Sequence, residues 1–509
     1  MAHNFIFFPE DKHIKRLRKN QGAAPAGISR GYPNPYISGI IRYKMATKKR
    51  VFWRAAMGVL TALLIYGVYY CWVSFPIISA YGAKVLCSAV FVSGRNEQQV
   101  KQEDLAFFPL AFGRYTIDYT DSSVTGTVLG LARKKAIYRK GLGATLVNEW
   151  PEQQIRAEHF LLPPKPAVAM DTVHWPMGDR LADMIPSGLD TTALHRAIEG
   201  IFAEKDTAHP IRTRAVIVVY KGQLVGEEYA AGFARDTRLL GWSMTKSITG
   251  ALIGRLVGNG KLSVDAPAPV PEWNKPDDPR HAITLRDLLQ QCSGLRFEEN
   301  YAHSSDATRM LFGRADMGGY TASHPLQDTP GKVWHYSSGN SNILSRIIRQ
   351  TVGEEKYPAF PYEQLFYKLG MYSAVLEPDA SGTFVGSSYM YATARDWARF
   401  GLLYLGEGIF NHERLLPEGW VAKSVTPAAA ALRGQYGYQF WLNAGAKGDP
   451  SDRLYPHVPT DLFCADGFEG QNVFIIPSKQ LVVVRLGLTR GAKFDADQFL
   501  SGILKAIRY

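Results

Sequence analysis

Cysteine is scarce in this chain: Cys71, Cys87, Cys292 and Cys464 are the only four among 509 residues. There is no Cys-x-x-Cys pair and no Cys/His spacing suited to a metal, which excludes a zinc site, a thioredoxin-like motif and a small disulfide-stapled scaffold. His-Glu-x-x-His is also missing, and with it the common zinc-peptidase signature. Gly258-Asn-Gly260-Lys261 fails as a phosphate loop, because Arg255 stands where the earlier glycine is needed and Leu262 follows the lysine. No metal or cofactor is implied. Acidic residues are nearly absent from residues 1–54, where Glu10 and Asp11 face twelve Lys and Arg. That segment carries +10 of the net charge of +12, so the other 455 residues are close to neutral. Nucleic acid is thereby excluded as the main partner.

Charge is absent altogether from Ala55 to Ala83, a run of 29 residues. Its first part, to Phe75, is long enough to cross a bilayer as a helix. Trp53 on one side and Tyr69, Tyr70 and Trp72 on the other suit the two interfaces, and Pro76 is placed to end or kink the helix. Lys48-Lys49-Arg50 precedes the run, so the positive-inside rule puts residues 1–54 in the cytoplasm and the rest in the periplasm or another extracytoplasmic space. A cleaved signal peptide is the rival reading, with Ala80-Tyr81-Gly82 as its cleavage site, but the apolar run is long for one. A start at Met45 would leave a compact basic lead-in directly before the apolar run. Cys87, Cys292 and Cys464 then lie outside the membrane, and an odd number leaves at least one thiol free or bridged between molecules.

The pattern divides the chain into a basic segment 1–54, a membrane helix 55–83, a small accessory region and linker 84–185, and a catalytic-sized domain 186–509. In the accessory region, residues 124–131 and 136–139 have strand character, and 161–167 is a proline-rich connection. In the large domain, Asp190 caps a helical pattern, and Arg214–Tyr229 reads as a hairpin turning at Lys221-Gly222. Residues 243–257 read as a helix stopping at Gly258-Asn259-Gly260. A second hairpin turns at Pro477–Gln480, and residues 495–507 form an amphipathic helix. These elements predict an α/β (α+β) fold, with an antiparallel sheet flanked by terminal helices and an inserted helical subdomain.

Chemistry enters at Gly241-Trp-Ser243-Met-Thr-Lys246. Residues three apart share one face of a helix, so Lys246 can reach the Ser243 hydroxyl and take its proton. The helix N-terminus favours developing negative charge. Further on, Tyr336 stands before an apolar helix in His335-Tyr336-Ser337-Ser338-Gly339-Asn340, where a phenol could carry a proton. Ala465-Asp466-Gly467-Phe468-Glu469 leads into a strand, and its glycine lets backbone N–H groups approach a substrate. Gly241-x-Ser243-x-Thr245 falls one residue short of the α/β-hydrolase elbow, and the last histidine, His457, lies in a Pro/Asp-rich loop. His335 reads as a loop side chain, and Glu377 and Asp379 as turn residues.

Taken in order, these motifs resemble the serine β-lactamase and penicillin-binding-protein-like hydrolases. The similarity is to their class C-related branch, which includes esterases, D-amino-acid peptidases and 6-aminohexanoate-oligomer hydrolases. Ile283–Leu295, ending in Ser-Gly-Leu, and Tyr391–Leu403 are similar to further segments of the family. The resemblance implies Ser243 as acylated nucleophile, Lys246 and Tyr336 as the proton-handling pair, and an oxyanion hole from the Ser243 N–H and one near Phe468 or Glu469. It also assigns Ser338, Asn340 and Gly467 to the substrate and oxyanion region. Two positions depart from the pattern. Ser338 stands where Asn completes Tyr-x-Asn, with Asn340 two residues on, and Ala465 stands where Lys or His is usual. The expectation is a membrane-anchored serine hydrolase of small amide, ester or peptide substrates, held to the membrane by its N-terminal helix. The alternative is a non-catalytic module that binds peptide or cell-wall fragments in the same cleft.

Overall fold

The structure, a computed structural model, describes residues 35–507 other than 159, 205, 276, 448, 450 and 491–493. The first 34 residues of the expected basic segment lie outside the described residues. The chain forms two compact units, Met1–Val68 and Tyr69–Tyr509. In the first, the described residues belong to one helix, α1 (Pro35–Phe91), which continues into the second unit and includes Met45. It is long and apolar enough to cross a membrane.

The helix continues past Pro76, so that proline does not end it. Its exposed stretch also stops earlier than residue 83. From Ser74 onward the side chains turn inward, and Ile78 to Ala89 are almost continuously buried. The 19 residues Ala55–Val73 that stay largely outside would span about 28 Å as a helix. Small residues explain the difference, because Ser79, Ala80, Gly82 and Ala83 suit a protein interior as well as a bilayer. The accessory sheet packs on them. It is an antiparallel meander of β1 (Gly113–Asp118), β2 (Ser123–Val128), β3 (Leu131–Arg139) and β4 (Gly143–Leu146). Gly126 on β2 has no side chain where a Cβ would sit 2.2 Å from the Ser79 carbonyl oxygen. The Tyr115 hydroxyl donates to Leu110 O at 3.1 Å and Ile78 O at 3.3 Å.

Glu377, read from the sequence as a turn residue, is wholly buried beside α1. Lys84 donates to it, as do the Ser88 hydroxyl at 2.8 Å and Ala144 N–H at 2.7 Å. Burial pushes the Glu377 carboxyl up, and Lys84 opposes that shift. Asp379 is buried as well and accepts Met317 N–H at 3.0 Å.

The large domain follows the expected plan. The elements that frame its sheet and site are α2 (Thr191–Glu199), β5 (Thr213–Tyr220), β6 (Gln223–Tyr229), α3 (Thr245–Gly258), α4 (Ser338–Val352), α5 (Ala394–Leu405), β7 (Trp441–Leu442), β8 (Phe463–Gly467), β9 (Gln471–Ile476), β10 (Leu481–Gly487) and α6 (Ala496–Lys505). The sheet order is β7-β8-β9-β10-β5-β6, antiparallel throughout. Alternation sorts its side chains. Ala215, Ile217 and Val219 face the core with α3, α4 and α5, while Val216, Val218 and Tyr220 face α2 and α6. Asp190 and Asp495 cap those two terminal helices, accepting Ala193 N–H at 3.0 Å and Gln498 N–H at 2.9 Å. All four cysteines are free thiols, and Cys87, Cys292 and Cys464 are buried.

Removing Glu377 strands the buried Lys84 ammonium. Glu377→Ala is expected to lower unfolding free energy by about 3–5 kcal/mol, whereas Lys84→Met with Glu377→Leu recovers most of that loss. Urea titration of the detergent-solubilised protein measures both.

Candidate active site

Ser243 lies in a single 3₁₀ turn, Trp242–Met244, that runs directly into α3. Trp242 holds φ at +45°, an uncommon conformation for a bulky residue and one that concentrates at functional sites. Three rings hold it there: Tyr81 at 5.9 Å, Tyr389 at 6.2 Å and Phe468 at 5.9 Å between centroids. The serine one residue on is thereby placed at the mouth of the domain, partly accessible, with its helix buried behind it.

Lys246 follows one turn later, as the spacing predicts, and is almost wholly buried. Its Nζ lies 3.0 Å from each of three acceptors: Ser243 Oγ, Ser338 Oγ and the Ser387 carbonyl oxygen. Burial lowers its pKa to about 8. A neutral amine has two N–H donors and one lone pair. With the donors on Ser338 and Ser387, the lone pair faces the Ser243 hydroxyl, the arrangement a base requires. The Tyr336 ring lies 4.9 Å from Nζ, and its hydroxyl interacts with Ser243. Burial raises that phenol well above its usual range, so it keeps its proton at neutral pH.

Two residues at this site were not singled out from the sequence. Glu299 accepts the Ser338 hydroxyl at 2.5 Å and Ser338 N–H at 2.8 Å. Tyr301 donates to Glu299 at 2.7 Å and lies 3.1 Å from Ser338 Oγ. With its proton on Glu299, the Ser338 hydroxyl can only accept from Lys246, which fixes the direction of the chain. Neither residue sits in a motif whose spacing points to Ser243, so nothing local in the sequence marks them.

Ser338 therefore stands at the site, but Asn340 does not. Two residues along a helix are turned about 200° apart. Asn340 points instead to Ser293, whose hydroxyl lies 2.9 Å from its Oδ1, and to Gln291 at 3.0 Å. Gly467 is where a backbone approach was expected. A Cβ there would meet the Gly241 carbonyl oxygen at 2.2 Å, so only glycine lets β8 come this close to the serine turn. Phe468 follows, half-exposed, with its ring edge on Trp242. Among the described residues, neither Ser243 N–H nor Phe468 N–H has a backbone acceptor.

Glu469 turns away from the site. Its φ of +67° swings its carboxylate onto Arg490, which also donates to Asp104 O at 2.8 Å and Glu103 O at 3.2 Å. Arg485, buried without a carboxylate partner, donates to Gly470 O at 2.8 Å and Glu469 O at 3.3 Å, and burial lowers its pKa to about 9. Two arginines thus clamp the turn that carries Phe468. Ala465 faces the core, while Asp466 lies near enough to Lys246 to feel its charge. Asn472 donates to Asp466 at 2.7 Å, and burial raises the Asp466 carboxyl. His335 is held in its loop, its Nε2 2.9 Å from the Phe297 carbonyl oxygen.

A model of the β-lactamase family matches residues 198–499. A 6-aminohexanoate-dimer hydrolase of Paenarthrobacter ureafaciens is 25% identical over 332 residues, covering 57% of this chain and 79% of that protein. An uncharacterized protein of Alkalihalophilus pseudofirmus is 23% identical over 320 residues, covering 56% of this chain and 87% of its own. Among solved structures, EstCE1, described as a hydrolase with promiscuous acyltransferase activity, superposes with a TM-score of 0.50 at 14% identity, over 62% of this chain and 99% of its own. The likeness to EstCE1 is one of fold, as the sheet order already indicated. Matched over more than half its length, on the segment that holds the serine, the lysine and the tyrosine, the chain belongs to the β-lactamase family and is an enzyme of the serine-hydrolase type.

Proposed function

We propose that this protein is a membrane-anchored hydrolase of small amides or esters that works through an acyl-enzyme on Ser243. The observation that carries the reading is the hydrogen-bonding of Lys246 Nζ, 3.0 Å from Ser243 Oγ with its two other acceptors already satisfied. In this scheme Lys246 takes the Ser243 proton as the hydroxyl attacks the substrate carbonyl. The Ser243 and Phe468 N–H groups receive the developing oxyanion. Tyr336, still protonated, passes a proton to the leaving group and recovers one from the ammonium of Lys246. Water then releases the acyl group by the same path in reverse. The helix α1, with Lys48-Lys49-Arg50 before its apolar run, is read as the anchor, with the catalytic domain outside the cytoplasm.

The substrate side follows from charge. Asp466 stands beside Lys246 and no cation occupies position 465, so a substrate that brings a carboxylate into that corner meets an acid. This disfavours β-lactams and favours uncharged esters, or amides that turn an ammonium end rather than a carboxylate to that corner, as a 6-aminohexanoate dimer, the compound in the Paenarthrobacter relative's name, can do.

A fluorophosphonate probe should add its mass to the peptide containing Ser243, and Ser243→Ala should abolish that labelling while the protein stays folded. A folded wild-type protein that remains unlabelled would overturn the enzyme reading. Tyr336→Phe removes one hydroxyl and should lower kcat/KM by about 10²-fold or more; unchanged turnover would dismiss the tyrosine from proton transfer. Because the base is the neutral amine, kcat/KM should rise with pH through an acid limb near the value of about 8 for Lys246 and level off above it. A profile flat between pH 6 and 9 would contradict that assignment. On substrate, kcat/KM for p-nitrophenyl butyrate and for a 6-aminohexanoate dimer should both exceed that for nitrocefin, with Ser243→Ala as blank. The reverse order would place the protein with the antibiotic-hydrolysing members of its family.

A further inference from the structure

The accessory sheet ends in an apolar tip that the catalytic chemistry does not use. Gly113, first in β1, pairs with Val128, last in β2, and Val128 pairs with Leu131, first in β3. This register gathers Phe112, Leu129 and Leu131 at one end of the sheet. Phe108 joins them, its ring 5.9 Å from that of Phe112. All four are open to solvent, at 77% for Phe108, 56% for Phe112, 74% for Leu129 and 63% for Leu131. Grouped exposed side chains of this kind mark an interaction surface.

The way α1 packs shows which direction the tip faces. Cys87 lies against Ala136, with Sγ 3.7 Å from its carbonyl oxygen, and Ala136 pairs with Val124. Eight residues earlier on the helix, Ser79 lies against Gly126. Moving back along α1 therefore runs forward along β2, toward Val128 and the tip. The same direction leads to Ser74, where the helix begins to emerge, and to Trp72, which is fully out. The tip thus lies alongside the point where the apolar run leaves the folded body. Cations flank the tip: Arg114 and Arg133 are exposed near it, without an ion pair among the described residues. The far end of the sheet carries both signs, with Asp118, Asp121 and exposed Lys140.

Resting on the reading of α1 as a membrane span, we propose that this tip is a lipid-docking surface. Phe108, Phe112, Leu129 and Leu131 enter the boundary between headgroups and acyl chains beside the helix, and Arg114 and Arg133 meet the lipid phosphates. A bilayer fits better than a protein partner, because the surface is a set of projecting side chains continuous with the apolar helix and flanked by cations.

The test uses full-length protein in vesicles of phosphatidylcholine and phosphatidylglycerol. A nitrobenzoxadiazole probe is placed on Leu129→Cys or Leu131→Cys, each with Cys71→Ala, and on Lys140→Cys at the far end of β3 as control. A fourth sample carries the probe on native Cys71, the other thiols being buried. The quencher is a lipid with its nitroxide near the carbonyl end of the acyl chain, and thermal unfolding confirms that each variant is folded. The probes at 129 and 131 should lose about half their emission at a depth of some 5–10 Å, and the Lys140→Cys probe none. A quenched Cys71 probe with both tip probes unquenched overturns the docking surface and leaves the span standing. An unquenched Cys71 probe overturns the span; quenched tip probes would then still support lipid docking, and unquenched ones would end both ideas. A blue shift at the tip without lipid quenching would mean that protein covers it, which also overturns the proposal.

Discussion

One buried amine organises the catalytic half of the molecule. Lys246 Nζ has lost almost all contact with water, so each of its donors must end on a protein oxygen. The three oxygens it finds come from the turn before α3, the start of α4 and the loop at Ser387. Parts of the chain up to about 140 residues apart are thereby required to meet at one point. The same burial that makes this demanding also makes the amine weakly basic, so the structural constraint and the capacity to accept a proton have one cause.

Much of the scaffold was legible because its signals are local. The hairpin over Arg214–Tyr229, the Asp190 cap and the stop at Gly258-Asn259 each depend on residues within a few positions of one another. Ser243 and Lys246 share that advantage, being one helical turn apart. What the sequence concealed was non-local or directional. Lys84 and Glu377 are 293 positions apart, and nothing near either names the other. The resemblance assigned Asn340 to the substrate region together with Ser338, but helix rotation turns it toward Ser293 and Gln291 instead. Glu469 shares a pentapeptide with Phe468, and a left-handed backbone turns it toward Arg490 instead. The end of the exposed helix was misplaced because alanine, glycine and serine satisfy a packed interior and a bilayer equally well.

The accessory region is more than a layer added to a finished enzyme. Its sheet and the large domain bury opposite sides of the last turns of α1, and a single apolar cluster contains Ala83 and Val85 of the helix, Val124 and Leu146 of the sheet, and Trp242 and Phe312 of the domain. Tyr81 of α1 lies against Trp242, one residue from the nucleophile. Arg490 joins the turn carrying Phe468 to the backbone at residues 103 and 104. Both sides of the proposed oxyanion site are therefore braced by chain that precedes the family-matched segment.

The pairing of β5 with β10 has a consequence for how the protein is made. Val218 lies opposite Val483, so the middle of the sheet joins the first strand of the domain to its last. A ribosome releasing the chain from its N-terminus yields β5 long before β10 exists, and loop closure over that separation is slow. The middle of the sheet therefore cannot close until β10 is available to pair. The sheet that backs Ser243 is complete only once residues 481–487 have been made and have paired with β5.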